Sequence, residues 1–182
     1  MIFSHGVGCS RLMYSAFCGE MASRGYVVLA VEHRDGTSPS SKISTSDGVT
    51  REIDFLNYKD IDWPDMDVQP ANDTTLRHEQ IRMRCAEMEE ARKIVDKIAR
   101  GIPVERYSFD APPEFGWDRW KHIDASRPVL AGHSLGGAAA VSMFYFRTET
   151  DPTHFLETLA RSGSCLHLPR EQCNSSGPRD ST

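Results

Sequence analysis

The stretch that decides the fold is Val129-Leu130-Ala131-Gly132-His133-Ser134-Leu135-Gly136-Gly137. It contains the Gly-x-Ser-x-Gly pattern of a nucleophile elbow, a sharp turn between a strand and a helix that exposes one serine. The apolar run at residues 128–131 predicts the strand, and the small residues at 138–141 predict the start of the helix. The two flanking glycines suit the turn because a Cβ at either position would crowd it. Ser134 is therefore the candidate nucleophile, beside a helix N-terminus that favours a developing oxyanion.

The first residues of the chain supply a second part of such a site. They read Met1-Ile2-Phe3-Ser4-His5-Gly6-Val7-Gly8-Cys9, which predicts the end of a strand running into a His-Gly loop. In folds with a nucleophile elbow, the loop after an early strand donates one backbone N–H to the oxyanion, and the residue after the nucleophile donates the other. Val7 and Leu135 are therefore the candidate oxyanion donors.

Composition bounds the class of protein. The 182 residues are enough for one domain, and 21 basic against 26 acidic residues give a net charge of -5, which argues against a nucleic-acid surface. We see no apolar run of the roughly 18 residues that a membrane span needs, and no signal peptide. The cysteines form no Cys-x-x-Cys pair and are odd in number, which indicates free thiols in a reducing compartment, and we expect a cytoplasmic protein. We also expect no metal and no cofactor, because metal-ligand spacing is absent. The five cysteines are Cys9, Cys18, Cys85, Cys165 and Cys173.

The coarse organisation predicts an α/β fold, a partial one with a parallel sheet core and flanking helices. Residues 10–24 predict a helix that Gly25 ends, and Leu12, Phe17 and Met21 are available for one of its faces. Residues 26–31 predict a strand that is buried on both faces. With the first strand, this helix and this strand make a β-α-β unit. We interpret residues 36–50 as a loop and residues 54–70 as lacking a clear period. A long helix is expected from Asp73 or Thr74 to about Arg100, with an apolar face made of Leu76, Ile81, Met88, Ile94, Val95 and Ile98.

The chain changes character towards its end. We expect a partial hydrolase-type domain over residues 1–146 and a divergent, poorly ordered tail over residues 147–182, with a short helix at 153–161. A catalytic serine of this fold needs an acid and then a histidine later in the chain. His154 and His167 are the available histidines, and His167 is the candidate base, with an ordinary tail residue as the alternative. We expect His133 to pack or hydrogen-bond rather than act as base, and the His33-Arg34-Asp35 run to end a strand and stabilise the adjoining loop.

Several segments together resemble a known family. They are Phe3-Ser4-His5-Gly6-Val7-Gly8, Leu12-Met13-Tyr14-Ser15, Ala22-Ser23-Arg24-Gly25-Tyr26-Val27-Val28, Val31-Glu32-His33-Arg34-Asp35-Gly36, the helix around Arg77–Arg84, and the elbow itself. Over about residues 1–142 the chain resembles the platelet-activating-factor acetylhydrolases of the plasma and intracellular type II kind, in the α/β-hydrolase superfamily.

The resemblance implies a calcium-independent phospholipase A2-type serine esterase of lipid degradation. Such an enzyme cleaves a short or oxidised acyl chain from the sn-2 position of a phospholipid, with Ser134 as nucleophile and Val7 and Leu135 as oxyanion donors. The implied partner is a phospholipid or other ester substrate, and a peripheral contact with a membrane stays open. The family has strands before the position of Met1, and its acid and histidine lie further on. We therefore expect a middle piece, truncated at both ends. The alternatives are another carboxylesterase of the superfamily, or a catalytically inactive fragment that lacks the triad Asp and His.

Overall fold

The computed structural model describes residues 1–44, 49–64, 66–102 and 117–149. The strands in these ranges are β1 (Ile2–Ser4), β2 (Leu29–Val31), β3 (Ser40–Ser44), β4 (Thr50–Asp54) and β5 (Leu130–Gly132). The α-helices are α1 (Ser15–Ser23), α2 (Thr74–Ala99) and α3 (Leu135–Glu149), and short 3₁₀ helices cover Arg11–Tyr14, Tyr58–Asp60 and Trp117–His122.

The sheet that carries the elbow is parallel, with the order β2-β1-β5. Phe3 at its centre lies opposite Ala30 on one side and Ala131 on the other. The β1-α1-β2 segment is the predicted β-α-β unit, so the expectation of an α/β fold with a parallel sheet is confirmed. Because three parallel strands end at one edge, the loop after β1 and the elbow after β5 come together there.

The two faces of β1 are covered by different helices. Successive strand residues point to opposite faces, and Ile2 packs in the core against α2 and α3 while the Phe3 ring contacts Phe17 of α1 at 5.3 Å between centroids. That core also contains Cys85, Met88, Ala139, Ala140 and Met143, which are buried. Burying a large apolar side chain such as that of Ile2, Met88 or Met143 stabilises the fold by about 1.5–3 kcal/mol. The core therefore lies directly beneath the elbow helix.

The strand predicted at residues 26–31 is shorter and less buried than expected. It covers only Leu29–Val31, and all three residues are half-buried. Within the described ranges β2 is an edge strand that pairs only with β1. The expectation of burial on both faces is wrong for these residues, because the apolar run alone does not fix the number of neighbouring strands.

The interpretation of residues 36–50 as a loop is also wrong. Ser40–Ser44 and Thr50–Asp54 form an antiparallel pair, with Ser40 opposite Asp54 and Ser44 opposite Thr50. Polar residues fill most of this hairpin, so the alternation of apolar and polar side chains that identifies a half-buried strand is missing.

The two predicted helices form, but their exposed faces differ from expectation. Gly25 ends the first at φ 90°, with its N–H donating to the Ala22 carbonyl at 3.0 Å. Leu12 is 72% exposed, so the apolar face predicted for residues 10–24 is only partly covered.

Gly101 ends α2 at φ 69°, as predicted. On α2, Ile94 is 43% exposed and its predicted burial is wrong, whereas Leu76, Met88 and Ile98 are buried as predicted.

The strand before the elbow begins at Leu130, two residues later than predicted. Pro128 has no N–H to donate to the ladder, and the first hydrogen bond on this side is accepted by the Val129 carbonyl from the Ile2 N–H at 2.8 Å. The predicted tail helix, His154 and His167 all lie outside the described residues. In the ranges given above, none of the helices combines the length and the hydropathy needed to span a membrane.

Candidate active site

Ser134 occupies the turn between β5 and α3 in the conformation of a nucleophile elbow. Its φ is 53°, and it is the only residue besides glycine with a positive φ in the described part of the chain. The left-handed region costs a residue with a Cβ about 1–2 kcal/mol, so surrounding structure must hold the serine there. The side chain is exposed, and the Ser134 carbonyl accepts the Ala138 N–H at 3.1 Å, which begins the helix. The serine is thus lifted clear of the sheet, as the motif predicts.

The glycines on either side of Ser134 allow the backbone to pack at distances that no side chain permits. A Cβ on Gly132 would lie 2.3 Å from the Gly136 carbonyl carbon, and a Cβ on Gly136 would lie 2.1 Å from the Ser4 carbonyl oxygen. Both separations are far below van der Waals contact. The requirement for glycine at these two positions, expected from the motif, is confirmed by this geometry.

The loop after β1 packs against the elbow. The His133 N–H donates to the Ser4 carbonyl at 3.1 Å, and a Cβ built on Gly6 would lie 3.4 Å from the Ser134 Cβ. Val7 is the next residue of this loop, and Leu135 is the first residue of α3. The structure therefore brings together the two segments that carry the predicted oxyanion donors.

Tyr14 connects these two segments, a role that the sequence alone does not specifically indicate. Its hydroxyl accepts the Gly6 N–H at 3.2 Å and hydrogen-bonds the His133 Nδ1 at 2.9 Å. The expectation that His133 hydrogen-bonds is thereby confirmed. No local pattern could have found Tyr14, because 119 residues of chain separate it from its histidine partner.

A buried arginine supports the loop from below. Arg84 of α2 is completely buried, and its Nε donates to the Asp35 Oδ2 at 2.6 Å. Its other nitrogens donate to the His5 carbonyl, to the Ser4 hydroxyl at 3.3 Å and to the Thr37 hydroxyl at 2.6 Å. A planar guanidinium can satisfy several acceptors at once, which explains an arginine in this position. One side chain thus ties α2 to the loops that follow β1 and β2.

The His33-Arg34-Asp35 run follows β2 and stabilises the adjoining loop, as predicted. His33 is buried, and it hydrogen-bonds the Ser4 hydroxyl through Nε2 and the Glu87 carboxylate through Nδ1, each at 2.7 Å. Arg34 pairs with the same carboxylate at 2.9 Å, and the Asp35 Oδ1 accepts the backbone N–H and the hydroxyl of the residue two positions later. These charge-assisted hydrogen bonds fix the carboxyl end of β2 beside β1.

His5 is buried inside this polar cluster, where both ring nitrogens have hydrogen-bond partners. Its Nε2 accepts the His33 N–H at 3.2 Å, and its Nδ1 lies 2.9 Å from the Gly6 carbonyl, to which an Nδ1–H would donate. Burial is the main cause that lowers the pKa of His5, with the charges of His33 and Arg84 acting in the same direction. The hydrogen bond to Gly6 and the Glu32 carboxylate oppose that change. The hydrogen bonds with the His33 N–H and the Gly6 carbonyl hold the imidazole at the start of the His-Gly loop.

The base that would activate the serine is not found in the described residues. None of the side chains in these ranges hydrogen-bonds the Ser134 hydroxyl, and His133 is engaged with Tyr14. His167, the predicted base, lies outside the described residues, so its role stays a prediction. Among the residues described, no group of three or more His, Cys, Asp or Glu side chains is arranged to hold a metal ion.

This chain is similar to known proteins over most of its length. The family model described as platelet-activating factor acetylhydrolase, isoform II, matches residues 1–160. The platelet-activating factor acetylhydrolase of Gallus gallus is 34% identical over 145 residues, which are 78% of this chain and 34% of that protein. That of Bos taurus is 35% identical over 145 residues, 78% of this chain and 30% of that protein. The chain thus spans about a third of the length of the curated relatives it matches. The chain belongs to the platelet-activating factor acetylhydrolase, isoform II, family.

Proposed function

We propose that this chain carries the nucleophile and oxyanion elements of a serine esterase that hydrolyses the sn-2 short or oxidised acyl chain of phospholipids. The observation that supports it most is Ser134, exposed at φ 53° on an elbow against which the loop after β1 packs. The relatives named as platelet-activating factor acetylhydrolases supply the substrate class. This activity belongs to carboxylic ester hydrolysis in lipid degradation.

The proposed chemistry has two steps. The Ser134 hydroxyl oxygen attacks the ester carbonyl carbon while a histidine takes its proton, for which His167 is the predicted candidate. The negative charge that develops on the carbonyl oxygen is stabilised by the backbone N–H groups of Val7 and Leu135. The alkoxide of the lysophospholipid leaves with the proton from the histidine. Water then attacks the acyl-serine, releases the fatty acid and restores the hydroxyl.

Titration with a fluorophosphonate probe tests this proposal. A competent serine is expected to be labelled to one equivalent per chain, at Ser134, and Ser134→Ala is expected to abolish the labelling. Ser142→Ala, in the following helix, is the matched control and is expected to keep it. Failure of the unaltered chain to react at Ser134 would support the second candidate, a catalytically inactive fragment. That candidate is favoured by one observation, the absence of a base among the described residues.

The phospholipid preference needs its own measurement. Turnover of a 1-alkyl-2-acetyl-glycerophosphocholine is compared with that of a small soluble acetate ester. A higher kcat/KM on the phospholipid supports the proposal. Equal or lower values would favour the alternative of a general carboxylesterase.

A peripheral contact with the membrane is part of the same proposal. It is supported by Leu12 and Met13, which are 72% and 62% exposed and immediately precede Tyr14. Flotation with phosphatidylcholine vesicles tests it. Leu12→Asp with Met13→Asp is expected to reduce the bound fraction, and equal binding of this variant and the unaltered chain would contradict it.

We also propose a cytoplasmic location, which the free thiols of Cys9, Cys18 and Cys85 support. Cell fractionation tests that location, and recovery in the secreted fraction would contradict it.

A further inference from the structure

Tyr14 stands at the junction between the two segments of the site. It ends the 3₁₀ helix Arg11–Tyr14 and precedes α1. Its ring packs on Phe3 with centroids 4.8 Å apart, and it contacts the His133 ring at 5.8 Å. The aromatic contacts fix where the hydroxyl points, since the ring is held between a buried strand residue and the residue that precedes Ser134.

The Tyr14 hydroxyl joins the loop after β1 to the elbow. Its oxygen accepts the Gly6 N–H at 3.2 Å, which leaves its own proton for the His133 Nδ1 at 2.9 Å. This arrangement uses the imidazole with its proton on Nε2. Burial is the main cause that raises the pKa of the Tyr14 phenol, and the hydrogen bond from the Gly6 N–H opposes that change.

Gly6 is packed so closely against the elbow that a small shift of its backbone would change the hydrogen bonds of the Tyr14 hydroxyl. A Cβ built on Gly6 would lie 3.0 Å from the His133 Nδ1, 3.3 Å from the Tyr14 hydroxyl and 3.4 Å from the Ser134 Cβ. Val7 follows directly, so a shift of Gly6 moves the Val7 N–H as well. Oxyanion donors act at about 2.7–3.1 Å from the developing charge, and a displacement of about 1 Å can cost roughly 100-fold in rate.

We propose that Tyr14 is a positioning residue, whose hydroxyl holds the loop after β1 at the distance from the elbow that the Val7 N–H needs to reach the oxyanion. This inference rests on the proposed function for its catalytic consequence. The two hydrogen bonds that join Gly6 and His133 through the Tyr14 hydroxyl are a property of the fold. Tyr14 does not touch the reacting atoms in this scheme and acts through the backbone of its neighbours.

The test compares Tyr14→Phe with Tyr26→Phe in the full chain of 182 residues. Phenylalanine keeps the ring contact with Phe3 and removes only the hydroxyl. Tyr26 is 42% exposed and loses the same group at a position away from the elbow. Amide exchange of Gly6, followed by NMR, is expected to become at least tenfold faster in Tyr14→Phe and to stay unchanged in Tyr26→Phe. Steady-state ester hydrolysis is expected to show kcat lowered about 10- to 100-fold by Tyr14→Phe with KM retained, because the loop acts in the transition state.

A double-mutant cycle guards against a variant that simply loosens the fold. His133→Ala removes the other end of the same connection, so Tyr14→Phe is expected to have little further effect in that background. Independent, additive effects would contradict the proposal, and so would unchanged Gly6 exchange or an unchanged kcat in Tyr14→Phe. If the unaltered chain shows no ester turnover, the proposed function fails for this chain. The exchange measurement and its cycle then decide the inference by themselves.

Discussion

The Arg84 Nε donates to the Asp35 Oδ2 over 2.6 Å, and both side chains are completely shielded from solvent. Removing one member of a buried ion pair leaves the other charge without a partner, which costs about 3–5 kcal/mol. We therefore expect Arg84→Met to lower the free energy of unfolding by about that amount in urea denaturation. The control is Arg24→Met, which breaks the exposed pair with Glu20 and is expected to cost less than about 1 kcal/mol. Equal losses in the two variants would contradict the structural role of Arg84.

Adjacent glycines after the serine provide a matched pair of substitutions. A Cβ on Gly136 meets the Ser4 carbonyl oxygen at 2.1 Å, whereas a Cβ on Gly137 has its nearest neighbour at 3.4 Å. Gly136→Ala is expected to destabilise the chain by about 3 kcal/mol or more, because backbone on both sides must move. Gly137→Ala is expected to change stability by less than about 1 kcal/mol. Thermal melting of both variants checks this, and similar midpoints would show that the elbow tolerates a methyl group at the contact.

The backbone strain at Ser134 predicts an opposition between stability and activity. Because its φ is 53°, glycine at this position relieves strain that alanine retains. We expect Ser134→Gly to be more stable than Ser134→Ala by about 1 kcal/mol, with both variants equally unreactive towards a fluorophosphonate. Comparison of the two unfolding curves measures the difference directly. A Ser134→Ala variant as stable as Ser134→Gly would mean that the turn carries no strain.

His5 predicts how stability changes with pH. Its pKa in the folded chain lies below the ordinary 6.5, chiefly because the ring is buried. The unfolded chain therefore binds more protons in the range from 6.5 down to the folded value, and stability falls as pH falls through that range. His5→Gln is expected to flatten the slope of the unfolding free energy against pH just below the ordinary pKa of 6.5, whatever its effect on absolute stability. Urea titrations at several pH values provide the slope, and an unchanged slope would contradict the assignment to His5.

The features predicted correctly from the sequence are local ones. The elbow needs glycine at positions 132 and 136, and the Gly-x-Ser-x-Gly pattern predicts both directly. The ends of α1 and α2 were predictable for the same reason, since Gly25 and Gly101 adopt positive φ where the helices stop. Each of these features depends on the conformational freedom of a glycine, and the sequence shows directly where the glycines are.

The features that were missed depend on tertiary contacts. Arg84 sits among charged residues on a long helix, where the default expectation is a solvated side chain, and nothing near it indicates that Asp35 will be its partner. Strands β3 and β4 are polar throughout most of their length. They are defined by the hydrogen bonds between them and not by a buried apolar face. Tyr14 follows β1 and His133 follows β5, so the two side chains meet only when these strands pair in the sheet. Such relationships follow from the assembled sheet and from no single segment.

The close approach of the loop after β1 to the elbow has a consequence for which substitutions the proposed oxyanion donors tolerate. Backbone atoms make part of this contact: the His133 N–H donates to the Ser4 carbonyl, and the same carbonyl oxygen lies 2.1 Å from where a Cβ on Gly136 would be. The side chains of Val7 and Leu135 are half-buried and take no part in those contacts. Under the proposed assignment, the oxyanion donors are peptide groups that every residue except proline possesses. Substitution of either side chain by any residue except proline therefore leaves the proposed donor group in place.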